Sequence, residues 1–256
     1  MHTAIILAGG TGQRAKTKIP KQYIRIGDYM LITYTLRAIL RSSRIEAVWI
    51  VAEKDWREAI LADAEKAGLN ISKIKGFAAP GTNRQTSILH GMQSILRMEG
   101  GMVDISNAEE QDTVFIHDAA RPFLKEETIE ACFEALEGHD GVMPVLPMKD
   151  TVYLSVDGKS ITDRLERSQL FAGQAPELFL LRKYYEANLA LLPDKILQIN
   201  GSSEPAVMAG MRIAMIPGDE SNFKVTTETD VIRCMEIIER RNGGVSDESL
   251  GTAWNQ

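Results

Sequence analysis

Thr3 to Leu7 reads TAIIL and runs directly into Ala8 to Arg14, AGGTGQR. The first five residues form a short, fully apolar strand, the kind found in parallel sheets covered by helices on both faces. The second stretch carries Gly9, Gly10 and Gly12, three glycines in four positions. Without Cβ atoms the backbone there can approach a ligand closely and turn its N–H groups toward phosphate oxygens. Downstream the same rhythm recurs. Apolar residues stand at helical spacing over 30–39, AVWIVA at 47–52 is a second buried strand, and 56–67 is an amphipathic helix. A strand at 71–74, a helix at 85–98, a strand at 114–116, a helix at 126–136 and a strand from 142 to 145 complete the series. Strands alternating with helices predict an α/β fold with a mainly parallel sheet flanked by helices.

Two regions leave that rhythm. Residues 149–171 contain TVYLSVDGKSIT, an alternating segment with an Asp157-Gly158 turn, which predicts a protruding β-hairpin and a candidate oligomerisation arm. The segment after Arg241 is polar and glycine-rich, so 242–256 is expected to be a disordered tail behind a single domain spanning 1–241. The acidic stretch 100–112 reads as a solvated surface insertion.

The chain has 256 residues and a formal charge of −6, so it presents no global cationic field toward nucleic acid or anionic lipid. Phosphate has to be held by local groups. No apolar run approaches the roughly 18 residues a bilayer span needs, and the first ten residues lack the basic start of a secretory signal. The two cysteines, Cys132 and Cys234, have neither metal-ligand spacing nor a disulfide framework, which favours a reducing, cytoplasmic setting.

Five constellations carry the chemistry. The glycine loop is followed by Arg14 and by IPKQY with Lys21; it is neither a Walker A loop, which ends in GKS or GKT, nor a dinucleotide fingerprint. PGTNRQTS (80–87) is either a helix-capping turn, with Thr82 or Asn83 as N-cap, or a wall along the base and ribose of a nucleotide. IHDAARPF (116–123) sets Asp118 just after an apolar strand, where open α/β sheets place ligand-binding groups. A hard carboxylate there suits Mg²⁺. Arg121 either joins that site or forms a salt bridge to Asp118. MKDTVY (148–153) with RSQLFAGQAPELF (167–179) is the fourth, and SNFKVTTETD (221–230), with Lys224 in a β-like FKVTT before a helix capped by Thr226 or Thr227, is the fifth.

AGGTGQR with PKQY, GTNRQTS, HDAARPF, KDT, GQAPELF and NFKVTTETD occur in the order and approximate spacing of one family. From residue 3 to residue 240 the chain resembles the 2-C-methyl-D-erythritol 4-phosphate cytidylyltransferases of isoprenoid synthesis and the sister ribitol-5-phosphate cytidylyltransferases. The resemblance implies a Rossmann-like nucleotidyltransferase fold and a homodimer whose β-arm, about 148–168, reaches the partner's active site. It also implies CTP as co-substrate, Mg²⁺ as cofactor and a polyol phosphate as acceptor. Carried over by motif, Arg14, Lys21 and Lys224 are the catalytic cations and Asp118 the metal ligand. Ala8, Gly9, Gly10, Thr11, Gly12, Gly81, Thr82, Arg84 and Ser87 hold the nucleotide. Arg121, Thr151 and Arg167 hold the polyol phosphate, the last two across the dimer.

Two positions depart from the pattern. Ala175 stands where relatives usually have a threonine, and Gly201, in NGSSEPA, where they have an aspartate. The acceptor is therefore open between 2-C-methyl-D-erythritol 4-phosphate, the first choice, and ribitol 5-phosphate or another polyol phosphate. A nucleotidyltransferase using UTP or GTP with a sugar 1-phosphate is disfavoured by HDAARP and NFKVTT. A catalytically degenerate nucleotide-binding regulator is the alternative of another class.

Overall fold

The computed structural model describes residues 1–10, 19–97 and 101–242. In chain order the strands and helices are β1 (His2–Leu7), β2 (Arg25–Ile26), β3 (Tyr29–Met30), α1 (Leu31–Arg41), β4 (Ala47–Val51), α2 (Arg57–Lys66), β5 (Ile74–Ala78), α3 (Arg84–Ile95), β6 (Thr113–Asp118), α4 (Glu126–Glu134) and β7 (Gly141–Pro147). There follow β8 (Tyr153–Leu154), β9 (Asp163–Arg164), β10 (Phe171–Gly173), β11 (Glu177–Leu180), α5 (Leu181–Leu189), α6 (Glu204–Met208), β12 (Ile213–Pro217) and α7 (Glu228–Asn242).

The main sheet runs β10-β7-β11-β6-β1-β4-β5, with β12 paired to β7. β1 is parallel to both β4 and β6, and β4 is parallel to β5. β11 breaks the pattern, wedged antiparallel between β6 and β7. Successive side chains of a strand point to opposite faces, and β1 shows the result. Ala4 and Ile6 join the core against α1, α2 and α4, while Ile5 joins the core against α3 and α5. Both faces are covered, which is why the strands read as unbroken apolar runs.

From β1 the chain moves one way to β4 and β5, then returns to place β6 on the other side. That reversal opens a crevice at the carboxyl ends of β1 and β6, where Leu7 pairs with Asp118. The site lies there.

Several expectations change. The strand expected at 71–74 is a short 3₁₀ turn, Ile71–Lys73, because the Asn70 side chain accepts from the Ser72 N–H at 3.2 Å; the strand begins at Ile74. The 100–112 stretch is not simply a solvated insertion, since Ala108 and Asp112 are buried and the Met1 ammonium pairs with Asp112. FKVTT forms no strand. It is tied instead to the segment after β6 by a backbone bond, Val225 N–H to Ala120 carbonyl at 2.8 Å.

The hairpin forms as predicted around Gly158, whose φ of 67° suits the turn, but it pairs only Tyr153 with Arg164 and Leu154 with Asp163. Asp157 accepts the Lys159 and Ser160 N–H groups and closes the loop. The tail expectation, apart from Asn242, falls outside the described residues. Among the described residues no helix is long and apolar enough to cross a membrane.

Candidate active site

The glycine loop is held from beneath. Ala8 is buried, its N–H bonded to the Val51 carbonyl at 2.9 Å, and its own carbonyl accepts both Gln22 Nε2 at 2.6 Å and Tyr23 Oη at 2.7 Å. Gln22 Nε2 also donates to the Gly10 carbonyl at 2.8 Å. PKQY thus anchors the loop through two side chains that sequence reasoning passed over in favour of Lys21. Thr11, Gly12 and Arg14 lie outside the described residues.

Opposite stands the turn before α3. Asn83 is the N-cap: its side chain accepts from the Thr86 N–H while Thr86 Oγ1 accepts from the Asn83 N–H, a reciprocal capping box. Ser87 Oγ accepts the Gly81 N–H at 2.9 Å and donates to the Asn83 carbonyl at 2.8 Å. The capping and ligand-wall readings are therefore compatible, because the same turn caps α3 and lines the cleft.

Between these walls lies a cleft of about 620 Å³, and its lining includes Gly9, Gly10, Lys21, Gly81, Thr82, Arg84, Ser87, Asp118 and Lys224. Four motifs spread along the chain from Gly9 to Lys224 meet in this one space. Asn200 and Thr226 also line it; the sequence reading gave Asn200 no site role and took Thr226 only as a candidate helix cap.

Asp118 is the electrostatic centre. It is buried at the end of β6 and pairs with Arg84, with Lys224 at 3.0 Å and with Arg121 at 3.5 Å. Burial alone would raise its pKa, but the cations, Arg84 foremost and then Lys224, outweigh it and hold the carboxyl far below its ordinary range. The salt-bridge reading of Arg121 is thus borne out, and its Nη1 also donates to the Asn222 carbonyl at 2.7 Å.

The loop that presents Lys224 is clamped. Gln174 Nε2 donates to the Asp219 carbonyl at 2.9 Å, and Gln174 Oε1 accepts the Asp219 N–H at 3.1 Å. Asn222 Nδ2 donates to the carbonyl of Ala175, which is itself buried. GQAP is therefore the support of the Lys224 loop. Asp230 then accepts the Thr226 and Thr227 N–H groups, and Thr227 Oγ1 accepts the Asp230 N–H, which caps α7.

Thr151 and Arg167 do not join this cleft within one chain. Arg167 donates to the Lys149 carbonyl at 2.8 Å and lines a separate hollow at the base of the arm with Lys149 and Glu166; Thr151 is exposed nearby. Among the described residues no group of three His, Cys, Asp or Glu could hold a metal ion. A cation here would take Asp118 and find its other ligands on substrate phosphates or water, a donor set that fits Mg²⁺.

Residues 2–240 match the family model described as 2-C-methyl-D-erythritol 4-phosphate cytidylyltransferase. The bifunctional enzyme IspD/IspF of Maricaulis maris is 31% identical over 92% of this chain, although the chain spans only 56% of that relative's length. The ribitol-5-phosphate cytidylyltransferase of Lactiplantibacillus plantarum is 26% identical over 94% of this chain and all of the relative. Among solved structures, the 4-diphosphocytidyl-2C-methyl-D-erythritol synthase of Anaerococcus prevotii superposes with a TM-score of 0.74 at 24% identity, covering 93% of this chain and 96% of that one.

Proposed function

The chain belongs to the 2-C-methyl-D-erythritol 4-phosphate cytidylyltransferase family, and we propose that it transfers the cytidylyl group of CTP to a polyol phosphate. The observation that carries this reading is the convergence of Lys21, Arg84, Lys224 and Asp118 on one glycine-walled cleft at the sheet's switch point. An acceptor phosphate oxygen attacks the α-phosphorus of CTP. A new P–O bond forms as the bond to the β-phosphate oxygen breaks, and pyrophosphate leaves with the electron pair. For such a step the protein chiefly positions reactants and neutralises developing charge.

Lys21 and Lys224 supply that neutralisation, joined by Arg14 on the strength of the resemblance. The Gly9–Gly10 backbone and the Gly81–Thr82 turn bracket the nucleoside. Asp118 would hold Mg²⁺, which would supply positive charge against the triphosphate. Asp118 itself pairs with Arg84 and Lys224, which sets both cations on the cleft wall where the phosphates of a bound nucleotide can compete for them.

The acceptor we propose is 2-C-methyl-D-erythritol 4-phosphate. Ribitol 5-phosphate is the second reading, favoured by the full-length match to a ribitol-5-phosphate enzyme. We also propose a homodimer in which Thr151 and Arg167 complete the acceptor site of the partner. What supports it is an arm that among the described residues has no strand partner but itself, exposing Val156, Ile161 and Tyr153 at 85%, 67% and 53%. The free, buried thiols of Cys132 and Cys234 suit a cytoplasmic, reducing setting.

A pyrophosphate-release screen of the four nucleoside triphosphates against both polyol phosphates and glycerol phosphate tests the reading. Release with CTP and one polyol phosphate is expected. CTP binding without release from any acceptor would instead favour a regulatory nucleotide-binding protein.

A further inference from the structure

Beneath the cleft floor lies a second carboxylate that the transfer reaction does not itself call for. β11 sets Glu177 opposite Ile116 of β6, so Glu177 and Asp118 share one face of the sheet. Glu177 is only 7% exposed. Its Oε1 accepts from Ser202 Oγ at 2.8 Å, and the same Oγ accepts from Arg84 Nη2 at 3.2 Å. The other arm of the guanidinium, Nη1, is bonded to Asp118. Arg84 therefore stands between two carboxylates, reached directly on one side and through a hydroxyl on the other. Ser202 is fixed in turn, because Tyr184 Oη donates to its carbonyl and Gln85 Nε2 donates to Tyr184.

Glu177 Oε2 is buried with no hydrogen-bond partner among the described residues. Burial raises the carboxyl's pKa, against the pull of Arg84. A half-satisfied buried acid is a poor stabilising device, since a neutral side chain of the same shape avoids its desolvation cost. What the acid offers is negative charge within reach of Arg84.

We propose that Glu177 is a positioning residue for Arg84. When the phosphates of a nucleotide compete with Asp118 for Arg84, the Ser202–Glu177 pair keeps the guanidinium on the cleft wall, facing the phosphates. Without that charge Asp118 is the only carboxylate left to Arg84. Nucleotide binding then has to break the remaining ion pair. The inference rests on the cytidylyltransferase reading only in taking CTP as the ligand.

CTP affinity measured by titration calorimetry, with KM and kcat for the same proteins, tests it in a double-mutant cycle. Glu177→Gln keeps the shape and removes the charge. It is expected to weaken CTP roughly tenfold, the scale of one charge-assisted hydrogen bond, with kcat changed less than KM. In an Arg84→Ala background the same substitution should change affinity less than about twofold. Ser202→Ala, which cuts the relay without touching the acid, should behave alike and serves if Glu177→Gln does not fold. A merely structural role would lower affinity equally in both backgrounds, and that result overturns the inference. Wild-type protein that binds no CTP overturns the cytidylyltransferase reading and this inference with it. Wild-type binding with additive losses overturns the inference alone.

Discussion

Lys224, paired with Asp118, and His117, its neighbour in β6, show two different uses of burial. Lys224 is partly exposed and reaches Asp118 from a clamped loop, so its removal spares the core while stripping a cation from the cleft. Lys224→Ala should retain the far-ultraviolet spectrum of the folded protein and lose on the order of a hundredfold or more in pyrophosphate release. Unchanged turnover in the folded variant would remove Lys224 from the mechanism. His117 points to the opposite face of the sheet from Asp118 and is fully buried, which pushes its pKa from an ordinary 6.5 down to about 3. Between those values the unfolded chain binds a proton that the folded chain does not. Stability is thus complete above pH 6.5 and falls as pH drops toward 3. From pH 7 to pH 5 this one group should remove about 2 kcal/mol of unfolding free energy. Denaturant titrations at the two pH values measure it, and His117→Leu should flatten that part of the slope; an identical slope in both proteins would refute the assignment.

At the scale of elements, the site is two loops pressed together. A Cβ added at Gly9 would lie 2.5 Å from both Cβ and Cγ of Pro80, inside van der Waals contact. The glycine loop and the turn before α3 can keep their spacing only with glycine there. Gly9→Ala should therefore cost about 1–3 kcal/mol of stability as the loops separate, and CTP affinity should fall with it, read by thermal unfolding and calorimetry. Wild-type values for both would show that this contact does not set the cleft. The role of PKQY belongs here too. Lys21 was readable as a cation, yet Gln22 and Tyr23 earn their place by holding the Ala8 and Gly10 carbonyls. Nothing in a glutamine or tyrosine considered alone announces that, because the acceptors are backbone atoms of another segment.

For the whole molecule, the proposed dimer rests on the arm. An isolated hairpin with two residue pairs is marginal in water, and its exposed apolar residues need cover. Val156→Asp with Ile161→Asp should shift the protein to monomer in sedimentation velocity; a dimer that survives both would place the interface elsewhere. If Thr151 and Arg167 act across that interface, mixing inactive Lys224→Ala and Arg167→Ala chains should restore activity, since a mixed dimer holds one intact site. Failure to complement would confine both residues to their own chain. The alternation of strands and helices, the glycine loop and a helix cap at Thr82 or Asn83 were legible from TAIIL onward, because apolar period, backbone freedom and capping are local properties. The order of motifs pointed to Asp118, Lys21 and Lys224 in the same way. The antiparallel wedging of β11 was not legible, nor was the unpaired path of FKVTT, since both depend on which distant backbone supplies a hydrogen-bond partner. By itself the sequence determined an α/β sheet whose first strand ends in a glycine-rich loop. Only the tertiary structure decided that Arg84, Arg121 and Lys224 share one carboxylate while Glu177 stands behind Arg84, because charge pairing depends on distance in space and burial, neither of which spacing along the chain contains.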